Sequence, residues 1–193
     1  YGSGGDESCE NTVRTVENLL FGQTVDHYAA LSMDAVPILA DLVGGVPVTI
    51  DTDMTAVDPR LIEGETVTLE GELALSYVRA RQIVSDGTNQ SRMARQEQFL
   101  RAAWEAWMEK TASGDAVELG TDALVSLGER LRSDCTVQKL SRLLERAEQC
   151  ELTVLPAPAG EAKISEENIA EFYVDDDALE QTVLELFYRE EIS

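Results

Sequence analysis

A mixed α/β layer architecture is the fold class that this sequence predicts, and three observations predict it. Apolar residues at helical spacing alternate along the chain with short β-branched runs. One junction shows the alternation directly, where "AVPILADLV" passes through Gly44-Gly45 into "VPVTI". Composition is the third: 193 residues, 44% hydrophobic and 27% charged, are globular values with enough chain for one sizeable core.

The elements follow in order. "ENTVRTVENLLF" spaces Val13, Val16, Leu19 and Leu20 as a helix that Gly22 can stop. "VDHYAALSM" reads as a strand. Asp34 can cap the next helix, which ends at Gly44-Gly45 and leads into the strand "VPVTI". Residues 51–70 are polar and read as a loop or small hairpin. "LEGELALSY" reads as a short helix running into a strand at "SYVRAR", and "QIVSDGTNQ" as a loop turning at Asp-Gly. From Ser91, a natural cap, a strong helix carries Met93, Gln96, Leu100, Trp104 and Trp107 on one row. Helices around 121–132 and 136–149 come next, then strands at "LTVLPAPAG" and "AEFYV". A last helix runs from Asp176 to about Glu190.

Charge narrows the partners. With 15 Lys+Arg against 37 Asp+Glu, the formal net charge is -22, which repels nucleic acid and anionic headgroups. Any anion site must be local. No apolar run is long enough to span a membrane within residues 1–193. The opening "YGSGGDES" reads as the middle of a longer protein. Cys9, Cys135 and Cys150 form no C-x-x-C pattern and His27 is the only histidine, so no metal site is expected among these residues. Cys135 and Cys150 could pair in an oxidising compartment, or stand as separate thiols.

Against this background Arg79, Arg81, Arg92 and Arg95 fall within seventeen positions, with only Asp86 among them. On a strand, Arg79 and Arg81 would share a face with Tyr77. On the following helix, Arg92 and Gln96 lie one above the other, with Arg95 at the margin. If the loop folds the helix start beside the strand end, the guanidinium groups converge with free helix N–H groups. That is a cradle for phosphate, because guanidinium binds phosphate oxygens through paired hydrogen bonds. Structural ion pairing is the competing reading. Gly44-Gly45 reads as a helix stop, "YVDDDALE" as a cap with a solvated first turn, and the two tryptophans as core.

The segments "DHYAALSMDAVPILADLVGGVPVTI", "LEGELALSYVRARQ" and "SRMARQEQFL" together resemble the LytR-CpsA-Psr family of Gram-positive bacteria. The order and spacing of the motifs agree over about residues 1–110, and the closing "LTVLPAPAGE" agrees more loosely. The resemblance implies an α/β/α sandwich, a mixed central sheet flanked by helices, with a long apolar pocket for a lipid. It implies that residues 1–193 are one domain whose N-terminal strands lie upstream. It also implies an extracytoplasmic phosphotransferase, anchored in the cell membrane by an upstream helix. Such an enzyme moves a glycopolymer (teichoic acid or capsule polysaccharide) from a polyprenyl-pyrophosphate carrier to peptidoglycan, forming a phosphodiester.

By the resemblance, Arg79, Arg81, Arg92 and Gln96 match the family's catalytic, pyrophosphate-lining positions, and Arg95 a neighbouring motif position. Mg²⁺ is the implied cofactor, held by an aspartate pair in the upstream half. A rival reading is a domain that holds polyprenyl phosphate or cell-wall polymer without turning it over.

Overall fold

The computed structural model describes residues 5–80, 89–112, 116–147, 149–153, 155, 158–165 and 169–188. In chain order the elements are α1 (Gly5–Leu19), β1 (Ala29–Leu31), α2 (Ala35–Leu42), β2 (Val46–Thr49), β3 (Thr66–Leu69), α3 (Gly71–Arg79) and α4 (Asn89–Ala112). There follow α5 (Ala116–Leu127), a 3-10 turn (Gly128–Arg130), β4 (Leu131–Ser133), α6 (Val137–Ala147), β5 (Gly160–Ile164), β6 (Ala170–Val174) and α7 (Asp176–Phe187). The α/β class expected from the sequence holds. The described strands pair two by two and antiparallel, β1 with β4, β2 with β3 and β5 with β6. Among the described residues these pairs do not join into one central sheet. No described helix is long and apolar enough to cross a membrane.

The chain divides into two units, Ala29–Thr153 and the pairing of Tyr1–Tyr28 with Val154–Ser193. The first holds the main core. In β2, Val46 and Val48 are buried while Pro47 and Thr49 face out, the period-two pattern of a half-covered strand. Val46 lies opposite Leu69 of β3. Helix α3 lays Leu73, Ala74, Tyr77 and Val78 on this ladder, α2 adds Ala40, and α4 adds Phe99. The β2–β3 connection also buries Met54 and Leu61. Its turn is held by Arg60, whose Nε and Nη2 each donate to the Asp58 carboxylate at 2.8 Å. Those bonds hold Asp58 down at about 2.

The second unit contains α1, the β5–β6 pair and α7. Helix α1 is followed by a turn in which the Val25 N–H donates to Glu17 at 3.1 Å. The β5–β6 hairpin stacks Lys163 over the Tyr173 ring at 4.9 Å. Asp175 caps α7 by accepting from the Ala178 N–H at 3.1 Å, the role read from the acid run. Leu179 and Val183 are the buried side of α7.

Several sequence expectations are corrected. "SYVRAR" is not a strand, since α3 continues through Arg79. The helical spacing of Ala74, Tyr77 and Val78 against the β2–β3 ladder outweighs the β-branched look of the segment. Ser91 is not a cap, because α4 already begins at Asn89. The buried row of α4 is only partly the expected one: Trp107 is buried as expected, whereas Met93 is 47% and Leu100 62% exposed and Phe99, outside that row, is buried. Trp104 is only half-buried. Of the strand and turn expected at "LTVLPAPAG", residues 154, 156 and 157 lie outside the described residues, and the next described strand is Gly160–Ile164. Cys9, Cys135 and Cys150 are free thiols, so the open pairing of Cys135 with Cys150 resolves to separate thiols.

The turn after α2 generates a test. Gly45 has φ +95° and a Cβ there would sit 2.3 Å from Thr68 Cγ2, whereas Gly44 at φ +83° has open space. Gly44→Ala carries backbone strain alone, about 1 kcal/mol. Gly45→Ala adds the clash and is expected to lose about 3 kcal/mol. Urea unfolding of the two variants checks the order, and equal losses would contradict it.

Candidate functional site

The end of α3 abuts the first turns of α4, which carry Arg92, Arg95 and Gln96. The last carbonyls of a helix lack intrahelical donors and carry partial negative charge. At α3 those carbonyls are met by side chains of α4. Gln96 Nε2 donates to the Val78 carbonyl at 3.2 Å. Arg95 Nη2 donates to the Ala80 carbonyl. A cation at this end of a helix is the favourable sign.

A third anchor lies one turn deeper. The Tyr77 hydroxyl donates to Gln98 Oε1. Gln98 Nε2 in turn donates to the Thr49 carbonyl at 2.8 Å. The amide thus ties α3 and α4 to β2. Tyr77 is 1% exposed. Its hydroxyl is pushed up to about 12, chiefly by burial and further by the Asp51 charge, with Arg95 pulling the other way.

The predicted site residues are placed as follows. Arg79 is exposed in the last turn of α3, between the two carbonyls that α4 holds. Arg92 is half-buried on α4, one turn before Arg95 and Gln96. Arg81 lies outside the described residues. The shared face of Tyr77 and Arg79 is corrected: two residues apart on a helix they diverge, so Tyr77 enters the core while Arg79 meets solvent. Arg95 and Gln96 bond backbone carbonyls on either side of Arg79, and Arg92 precedes them by one turn of α4.

Sequence reasoning missed Gln98 and Asp51. The available signal for Gln98 was a second glutamine beside the apolar Phe99 in "RQEQF". Asp51 gave none, because its partners come from distant helices. Together with Thr52, Met54, Tyr77, Ser91, Ala94 and Arg95 it lines a cavity of about 140 Å³. That is room for a few waters, at roughly 30 Å³ each. Larger grooves lie elsewhere, one of about 490 Å³ beside Gly44, Gly45 and Lys110.

Fold and corner define a class, an acidic α/β chain with arginines gathered at one helix junction. The family follows from comparison. The LytR_cpsA_psr family matches residues 1–186, and the chain belongs to it. A polyisoprenyl-teichoic acid–peptidoglycan teichoic acid transferase TagU of Oceanobacillus iheyensis is 30% identical over 133 residues, covering 69% of this chain and 39% of the relative. The TagU of Bacillus mycoides is 27% identical over 150 residues, 78% of this chain and 46% of the relative. The chain thus spans less than half the length of these two relatives.

Among solved structures, B. subtilis TagU superposes with a TM-score of 0.65 at 20% identity, covering 99% of this chain and 76% of that one. Protein gbs0355 from Streptococcus agalactiae gives 0.74 at 20% identity, covering 96% and 63%. These likenesses show the fold.

Tyr77→Phe strands the buried Gln98 carbonyl oxygen and is expected to lose about 1–3 kcal/mol by urea unfolding. The pH dependence has a definite sign. A phenol raised from 10.0 to about 12 on folding favours the folded state below pH 10, and this is lost as pH rises towards 12. Wild type should therefore lose stability over pH 10–12 more steeply than Tyr77→Phe, and parallel profiles would contradict the assignment.

Proposed function

We propose that this chain is part of a phosphotransferase that joins a glycopolymer to peptidoglycan from a polyprenyl-pyrophosphate carrier. One observation carries the reading. Among the described residues, the exposed guanidinium of Arg79 has no hydrogen-bond or ion-pair partner, in a chain with 37 acids. Arg14, Arg60 and Arg101, by contrast, each pair with a carboxylate. Arg130, Arg142 and Arg146 are likewise exposed without a side-chain partner among the described residues, but of these four Arg79 is the one at the end of α3 that α4 meets, where it suits an anion from outside.

In this reading Arg79 and Arg92, with Arg81, bind the pyrophosphate oxygens through charge-assisted bonds. An acceptor sugar hydroxyl attacks the phosphorus that bears the glycopolymer. The bond from that phosphorus to the bridging oxygen breaks, polyprenyl phosphate leaves, and the hydroxyl proton passes to solvent. The new linkage is a phosphodiester. Charge developing on the leaving phosphate is stabilised where the arginines already stand, so little reorganisation is required. Arg95 holds the corner through Ala80. Gln96 gives one amide N–H to Val78 and has a second for a phosphate oxygen.

Mg²⁺ does not suit this corner. Guanidinium groups offer no lone pair, and Asp51 is the single carboxylate on the adjacent cavity, whereas Mg²⁺ wants several oxygen ligands. We place its ligands in an upstream segment together with a membrane anchor, and the protein outside the cytoplasm.

The test uses the full-length protein, lipid-linked glycopolymer and peptidoglycan. Arg79→Ala and Arg92→Ala are each expected to lose roughly 2–4 kcal/mol of transition-state stabilisation. Wild-type turnover in both variants removes these residues from the mechanism. Retained lipid binding with no transfer by the wild type would instead support a binding domain.

A further inference from the structure

Helix α4 has a second face, away from the arginines, that lines a groove. Arg101, Trp104, Glu105 and Met108 recur at spacings of three, one and three, so they share one side of the helix. Nine residues separate Arg101 from Arg92, two and a half turns, which sets this side opposite the arginine corner. With Cys150, Glu151 and Leu152 these four residues line a groove of about 420 Å³. The two tryptophans of α4 part company here. Trp107 is buried at 8% exposure, whereas Trp104 is half-buried and lines the groove.

The lining narrows the ligand class. Glu105 and Glu151 are exposed and, among the described residues, neither carboxylate has a hydrogen-bond or ion-pair partner. Two carboxylates in a chain of net charge -22 disfavour a polyanion, including a polyol-phosphate chain. They equally interrupt the apolar lining that a lipid tail needs. Arg101, held by Glu97 at 3.0 Å, adds a cation to the wall, which disfavours a purely cationic peptide. What remains is a ligand with apolar C–H faces for the indole and hydroxyl or amide donors for the carboxylates. A neutral sugar has both.

We infer that the Trp104 groove binds a neutral sugar chain, with Trp104 as the stacking surface and Glu105 and Glu151 as hydrogen-bond acceptors. Binding remote from the reacting group can orient a polymeric substrate. The assignment of that chain as the acceptor rests on the transferase reading, whereas the sugar site itself does not.

The experiment follows the two indole N–H signals of the ¹⁵N-labelled chain during titration with chitotetraose, Trp104→Phe serving to assign them. The Trp104 signal should move saturably while that of Trp107 stays. The surface double variant Glu105→Gln/Glu151→Gln should bind roughly tenfold more weakly. No movement of the Trp104 signal overturns the inference, as does an unchanged titration in the double variant. A response to penta-lysine or to a glycerol-phosphate oligomer but not to chitotetraose also overturns it. Loss of the transferase reading is a separate result. If the full-length wild type transfers no glycopolymer while chitotetraose still moves Trp104, that reading falls and the sugar site stands.

Discussion

The corner depends on how the start of α4 is tied down. Within four residues, Arg95 and Gln96 bond the carbonyls that end α3, and Gln98 bridges the Tyr77 hydroxyl to the Thr49 carbonyl. Each contact answers a backbone or phenol group that would otherwise be costly where it sits. The same contacts set the direction of the preceding turn, and with it Arg92. Packing holds this arrangement from below, since Tyr77, Val78 and Phe99 belong to one apolar cluster with the β2–β3 ladder. Cationic side chains are thus positioned by neutral amide chemistry and by the core.

The scarce cations of this acidic chain work in three different ways. Arg14 with Glu10, Arg60 with Asp58, Arg101 with Glu97 and Lys163 with Glu161 are local pairs. Exposed pairs of that kind contribute little to stability. Arg95 and Lys110 instead meet carbonyls at the ends of α3 and α2, where they complement helix dipoles. Arg79 does neither among the described residues, and nor do Arg130, Arg142 and Arg146; what marks Arg79 is its place at the end of α3 that α4 meets.

Family membership was legible in the sequence because it resides in motif order, which survives without coordinates. That the start of α4 comes back to the end of the preceding element was legible too, from their closeness along the chain. The division of labour among Arg79, Arg92, Arg95 and Gln96 was not. A strand reading gave Tyr77 and Arg79 one face, and the helix gives them two. Local propensity could not choose, because β-branched and aromatic residues in "SYVR" suit a strand while Leu73, Ala74, Tyr77 and Val78 suit a buried helix face.

Local chemistry by itself determined the α/β class, the glycine turn after α2, the acid cap of α7 and the clustering of arginines. These are matters of period, φ and charge within a few residues. Tertiary structure decided that Arg95 and Gln96 face α3, that Gln98 joins three elements, and that Trp104 lines a groove while Trp107 is core. Those outcomes depend on which carbonyls and apolar faces a distant segment presents, and spacing along one chain carries no record of that.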